Sequence, residues 1–189
     1  EVEVIVSDNA SEQATIDVVH KFLEKGYKVS YTKHAENRGM DGNFISIFNA
    51  ANGKYLWQLS DDDILVENGF ERIMQILRQY DNIGALYLNN LWFSSDNEVS
   101  GFNIHESSKY NVYDDPIRYI RRVNYWVTFL SANIVNKQVI CKKIDANEFN
   151  GTSLALLSWN IASAFQGYPN IVLETPVLAC TAGGQGGFK

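Results

Sequence analysis

Apolar positions along the chain fall into short runs and helical stripes that follow one another in a regular order. Val2, Val4, Ile5 and Val6 make a strand over about residues 2–7, which ends in Asp8-Asn9-Ala10-Ser11. Ser11, with Glu12 and Gln13 behind it, is a good helix start; Ile16, Val19 and Leu23 repeat at helical spacing, and Gly26 stops the helix. A second strand spans about residues 28–32. The loop 36–43 carries Gly39 and Gly42, which permit left-handed backbone or close approach to a ligand. Phe44, Ile47, Phe48 and Ala51 stripe the next helix, and Asn52-Gly53 turns into a third strand over residues 55–59. Phe70, Ile73, Met74, Leu77 and Tyr80 form the clearest amphipathic helix, and residues 83–93 read as a long strand. Strand and helix alternating in this way predict a mainly parallel, twisted α/β sheet with crossover helices on both faces.

The second half is less regular. Residues 94–115 are polar and predict a long loop or a hairpin over the site. Asp115-Pro116 opens a helix that carries Arg118, Arg121 and Arg122. Short strand and helix pieces are expected over 127–140. A last helix runs through Leu154, Leu157, Ile161 and Phe165 to Gly167, and short strands follow at 171–173 and 177–179. The glycine-rich tail, 181–187, is expected to order only around a ligand. With 189 residues and no linker or repeat, the chain reads as a single domain, 1–189, with an ordered half, 1–93, and an irregular half, 94–189.

Composition narrows the function. A formal charge of -6 argues against a nucleic-acid partner, which needs a basic surface. Cys141 and Cys180 match no zinc or redox spacing, so a reduced, cytoplasmic setting and two core thiols are the simpler expectation. No apolar run is long enough to span a membrane. The chain opens directly on a strand without Met or lead-in, the expectation for a fragment or trimmed domain.

Chemistry concentrates where the third strand stops, at Asp61-Asp62-Asp63. Three adjacent acids repel one another, but they favour a hard cation such as Mg²⁺ or Mn²⁺. In open α/β sheets, ligands collect beyond the carboxyl ends of the strands. The competing reading is a solvated turn in which Asp62 or Asp63 caps the next helix. Asp8 has its own plain alternative, an Asx turn with Asn9.

Three segments taken in order carry a resemblance. They are Val4-Ile5-Val6-Ser7-Asp8-Asn9-Ala10-Ser11, then Asn37-Arg38-Gly39 with Asn43, then Ala51-Asn52-Gly53-Lys54-Tyr55 running into Leu59-Ser60-Asp61-Asp62-Asp63. Over about residues 2–80 the chain resembles the nucleotide-sugar half of a family-2-type glycosyltransferase of the A-type, Rossmann-like fold, nearest to bacterial surface-polysaccharide enzymes of the abequosyltransferase-like group. Leu130-Ser131-Ala132-Asn133 and Gly151-Thr152-Ser153-Leu154 are similar to that group more loosely.

The resemblance implies metal-assisted transfer of a sugar, with inversion, from a nucleoside-diphosphate sugar to a hydroxyl of a glycan or lipid-linked glycan. It implies a nucleotide-sugar site of Asp8, Asn37, Gly39, Asn43, Asp61 and Asp62, and Mn²⁺ or Mg²⁺ held by Asp63 and Asp61. It also allows peripheral association at the inner face of a membrane; the oligomeric state stays open. The sequence departs from the pattern in three places. The strand that ordinarily opens the family is not in the chain; Gly42 replaces a basic residue; and the helix over 153–165 has no acid to serve as general base. Asp145 and Glu148, just upstream, are the candidate bases, with exposed loop charge as the competing reading. Tyr125, Trp126 and Trp159 are candidates to stack on an acceptor sugar or to pack in the core. A nucleotidyltransferase and a non-catalytic nucleotide-sugar or glycan-binding module are the alternatives.

Overall fold

The computed structural model describes residues 1–12, 14–93 and 109–181. Residues 94–108 of the loop or hairpin expected over 94–115, and the glycine-rich stretch from 182 onward, lie outside these residues. β1 (Val4–Asp8), α1 (Thr15–Glu24) and β2 (Val29–Lys33) come first, and β1 pairs with β2 in parallel from Val4↔Val29 to Asp8↔Lys33. Then come α2 (Gly39–Ala50), β3 (Tyr55–Trp57), β4 (Ile64–Leu65), α3 (Gly69–Gln79) and β5 (Ala85–Phe93). β6 (Tyr110–Tyr113) and α4 (Pro116–Val123) lead through 3₁₀ turns at Asn124–Thr128 and Leu130–Ala132 into β7 (Asn133–Asn136). α5 (Lys137–Ile140), α6 (Ala155–Gln166) and β8 (Asn170–Thr181) complete the order.

The strands form two sheets, and this corrects the expectation of one mainly parallel sheet of the A-type, Rossmann-like kind. One sheet is the β1–β2 pair. The other has the order β3-β7-β5-β8-β4, with β6 also on β8. Only β5–β8 is parallel there; β3–β7, β5–β7, β4–β8 and β6–β8 are antiparallel. The cause is β7. Strand–helix alternation predicts that β3 and β5 run the same way, but it does not make them neighbours. β7, buried at all four positions, enters between them from the other direction. A four-residue Asn-Ile-Val-Asn segment is too short to show a period.

The two asparagines of β7 explain why so polar a strand is stable inside. Asn133 Nδ2 donates to the carbonyls of Trp126 and Phe129 at 3.1 and 2.6 Å. Asn136 Nδ2 donates to Ile83 O at 2.9 Å, and its backbone N–H reaches Ser163 Oγ at 2.8 Å. Ser163 Oγ in turn donates to Gly84 O at 2.6 Å, and the Ala85 N–H donates to Asn170 Oδ1 at 2.8 Å. These bonds satisfy the donors and rigidify the core, while Asn133 Oδ1 has no partner among the described residues. Around the knot lie Leu86, Leu88, Ile171, Leu173 and Leu178, all fully buried. A second cluster joins α2 to α6 through Phe48 and Trp159, whose rings sit 4.5 Å apart.

At the other end of the chain, Asp8 closes the turn after β1. It is buried, accepts from Ser11 N at 2.7 Å and Tyr31 Oη at 2.9 Å, and has Lys33 Nζ at 3.9 Å. Ala10 takes the left-handed φ of 65° that the turn requires. Ser11 therefore spends its N–H on Asp8, and α1 starts at Thr15 rather than at Ser11. An apolar groove of about 390 Å³ separates β1 from β3, lined by Val2, Ile5, Tyr55, Ile73, Met74 and Leu77. The strand expected over 171–179 in two pieces is one strand bent at Thr175-Pro176, where the β5 register shifts between Leu88 and Asn90. Cys180 is buried as expected, but Cys141 is exposed at the end of α5.

Two predictions follow from this packing. A Cβ on Gly84 would stand 2.4 Å from Gly167 O and 2.5 Å from Asn170 Oδ1. Gly84→Ala should cost at least about 1–3 kcal/mol, the usual penalty of overpacking, measured as a lower urea midpoint at unchanged slope. For Asp8, burial pushes the carboxyl pKa up, but the Ser11 bonds, the Tyr31 hydroxyl and Lys33 outweigh it and hold it below the ordinary value of 3.8. A lowered folded pKa contributes stability above the unfolded value, and that stability is lost as pH falls through the folded one. Asp8→Asn should melt several degrees below the parent at pH 7, and the gap should close below about pH 3.8. A gap independent of pH would contradict the ion's role.

Candidate active site

The acid run is seated by the turn that precedes β7. β3 ends at Trp57 rather than at residue 59, because the chain there leaves the sheet for Ser131. Trp57 Nε1 donates to Ser131 O at 2.8 Å, and the Ser60 N–H donates to Ser131 Oγ at 2.9 Å. Ser60 Oγ reaches Asp62 Oδ1 at 2.5 Å, and Asp63 N closes a turn on Ser60 O at 3.4 Å. Asp61 and Asp62 face solvent, while Asp63 is half-buried. β4 pairs Ile64 with Ala179 and Leu65 with Leu178, so one step back along the register sets Asp63 opposite Cys180. The Cys180 thiol is pushed well up by burial first and then by the facing carboxylates of Asp63 and Asp62.

Two other segments meet at the start of α2. Ser7, the residue before Asp8, donates to Asn43 Oδ1 at 2.6 Å and touches His34 Nε2 at 3.2 Å. Gln58, just past β3, donates to Phe44 O at 2.9 Å. Consecutive residues of α2 thus touch the outgoing ends of β1 and β3, the strands that lead into Asp8 and the acid run. Asn37 and Asn9 clasp the loop between: Asn37 Oδ1 accepts from Asn9 Nδ2 at 2.9 Å and Gly39 N at 2.8 Å, and Asn9 Oδ1 accepts from Arg38 N at 2.9 Å. Gly39 carries a φ of 72°, the left-handed start of α2.

Asp41 is a residue that sequence reasoning did not single out. It is buried in the first turn of α2, accepts from Ser153 N at 2.7 Å, and its Oδ1 has no partner among the described residues. In the sequence it is one polar residue in a loop of several, with no periodic signal. Its bond to Ser153 brings the 141–154 segment against α2. The two base candidates lie there, both exposed. Asp145 accepts from the N–H and the side-chain amide of Asn147, both at 2.9 Å, and these bonds hold its carboxyl below the usual range. A general base working near neutrality needs the opposite shift. Glu148 donates its N–H to Asp145 O in the same turn.

The remaining candidates sort by contact. Trp159 is core. Tyr125 is 63% exposed, with its ring 4.6 Å from that of Trp126. Arg122 pairs with both oxygens of Glu174 at 2.9 and 2.7 Å. For a metal, no group of three or more His, Cys, Asp and Glu side chains comes together among the described residues. Mg²⁺ and Mn²⁺ are nevertheless commonly bound by one or two carboxylates with substrate phosphates completing the shell. Asp61 and Asp63 are a fitting donor set for a cation that arrives with a diphosphate.

Known proteins resemble the chain in sequence and in fold. Abequosyltransferase RfbV of Salmonella typhimurium is 26% identical over 121 residues, which cover 54% of this chain and 35% of that protein. A crystal structure of S. aureus TarS 1-349 shares the fold at a TM-score of 0.69 and 14% identity, covering 95% of this chain and 51% of TarS 1-349. The mannosyltransferase PcManGT of Pyrobaculum calidifontis, solved with GDP-Man and Mn²⁺, matches at a TM-score of 0.55 and 12% identity, covering 95% and 47%. The chain therefore spans about a third of the curated relative and about half of the solved ones. The pattern of glycosyl transferase family 2 matches residues 1–130, more than half of the sequence, and the chain belongs to that family.

Proposed function

We propose that this domain transfers a sugar from a nucleoside-diphosphate sugar to a hydroxyl of a glycan, with a divalent cation between its acid run and the diphosphate. The observation that carries the reading is the clamp of Ser131 on Ser60, after which Asp61 faces solvent and half-buried Asp63 sits opposite Cys180 of β8. Asp61 and Asp63 would hold the cation; when bound, it offsets the negative charge that grows on the departing diphosphate. Asp8, Asn37, Gly39 and Asn43 line the side toward the nucleoside. The buried Asp8 carboxylate has about four lone-pair sites, and its bonds to the Ser11 N–H, the Ser11 hydroxyl and the Tyr31 hydroxyl occupy three, which leaves about one for the base. Asp62, tied to Ser60 Oγ, shapes the turn.

Support for the donor class comes from the relatives: TarS 1-349 is solved with UDP and with UDP-GlcNAc, and PcManGT with GDP-Man and Mn²⁺. The apolar groove between β1 and β3 supports a further strand seated there. The acceptor proton needs a base, and Asp145 or Glu148 is the proposed source, on the segment that Asp41 ties to α2. Asp145, held below the usual carboxylate range, is the weaker base of the two. The same features favour one alternative, a binding module: the helix after this segment, α6, has no acid.

Titration calorimetry with UDP, CDP, GDP and dTDP, each with and without Mn²⁺, tests the reading. At least one diphosphate should bind in a Mn²⁺-dependent manner. Asp63→Ala should abolish that dependence while leaving the melting temperature unchanged or higher, since it relieves repulsion among three acids. Asp62→Ala should retain it. Equal affinity for Asp63→Ala, with the Mn²⁺ effect preserved, would return the run to a solvated turn. Ser131→Ala leaves the Ser60 N–H without its partner and should weaken diphosphate binding roughly tenfold, the equivalent of about 1.4 kcal/mol. Release of free sugar, or its transfer, from the matching donor would separate an enzyme from a binding module.

A further inference from the structure

Beyond the acid run, an exposed aromatic surface lies on the outgoing end of β5 and the turn after α4. Trp92 is 49% exposed and Tyr125 63% exposed. They are not isolated rings. Trp92 stacks on Phe129 at 6.0 Å and lies 6.0 Å from Trp126, and Trp126 lies 4.6 Å from Tyr125. Phe129 and Trp126 pack inward on the core, so the outer pair rests on a fixed base. The turn is pinned by Asn133 Nδ2 on the carbonyls of Trp126 and Phe129, by Asn160 Nδ2 on Val127 O, and by Thr128 Oγ1 on Tyr125 O. Asn124 holds a left-handed φ of 54° at its start. A rigid, strained turn that keeps two large aromatic faces in water asks for an occupant.

The sheet register tells where this ledge lies relative to the chemistry. Trp92 is the register partner of Cys180, and Cys180 stands opposite Asp63. Partners in adjacent strands project to the same face. Trp92, Cys180 and Asp63 thus form one row across β5, β8 and the start of β4. Two strand spacings, about 9–10 Å, separate the first Cα from the last. The same Ser131 turn that clamps Ser60 continues directly from Phe129, so ledge and acid run share their anchor.

We propose that the Trp92–Trp126–Tyr125 ledge is the acceptor subsite, on which a pyranose ring of the acceptor glycan stacks with a hydroxyl turned toward a diphosphate held at Asp63. This rests on the glycosyltransferase reading above. An aromatic face suits the C–H face of a pyranose, and rigid rings with few torsions bind at low entropic cost. The polar rim of Asn124 and Thr128 suits the hydroxyls. A lipid surface fits less well, because the flank toward α4 carries Arg122 paired with Glu174 rather than further apolar side chains.

Saturation-transfer NMR tests the assignment with the methyl pyranosides of glucose, galactose, mannose and rhamnose, with and without UDP and Mn²⁺. At least one pyranoside should receive saturation through its ring C–H protons. That signal should fall at least about fivefold in Trp92→Ala and in Tyr125→Ala and survive in Trp92→Phe, which keeps an aromatic face. UDP signals should persist in every variant, and circular dichroism should show the parent fold. No saturation of any pyranoside by the parent protein, or equal saturation in the alanine variants, would overturn the subsite. So would loss of the UDP signals in Trp92→Ala, which would give the ledge to the nucleotide base. The pyranoside arm without nucleotide reads the ledge alone, so absent UDP binding counts against the glycosyltransferase reading and not against the ledge.

Discussion

The seating of β7 between β3 and β5 is the constraint on which the rest of the molecule depends. Four buried residues, two of them asparagines, join strands that would otherwise lie apart. Asparagine in a buried strand is costly unless each amide finds a partner, and here Asn136 and Asn133 spend their donors on the start of β5 and on the preceding turn. Because that turn is fixed, Ser131 is fixed. Because Ser131 is fixed, Ser60 and the acids after it have one place to be. The geometry of the candidate site is thus a by-product of how the central sheet is closed.

On the proposed function, a protein of net charge -6 would receive a diphosphate through a cation that the acids after β3 and the nucleotide share. Binding of the two should then be cooperative, each supplying what the other lacks.

Much of this was legible in the chain, and the limits of legibility have physical causes. Helical stripes are long-range signals, so α3, α6 and the Pro-led α4 were readable, and Asp115 caps α4 as its position suggests. Resemblance carried the family. Neighbour relations between strands were not readable, because a direction of travel does not specify a partner; the mixed second sheet follows from β7, which has no period. Asp41 was hidden among loop polar residues although it is buried in α2. Trp92 was absorbed into a long apolar strand, and only the register with Cys180 shows it beside the acids. Cys141 was expected inside on composition, yet the end of α5 leaves it in water.

The central claim is that a divalent cation sits between the acid run and a nucleoside diphosphate. Paramagnetic broadening of amide signals in ¹⁵N-labelled protein tests it most directly, with Mn²⁺ at substoichiometric level and the diphosphate that binds best. The account predicts broadening centred on Ser60 to Ile64, reaching Ser131 and Cys180, that requires the nucleotide and disappears when Mg²⁺ displaces Mn²⁺. Broadening centred elsewhere, or none with nucleotide bound, would contradict it.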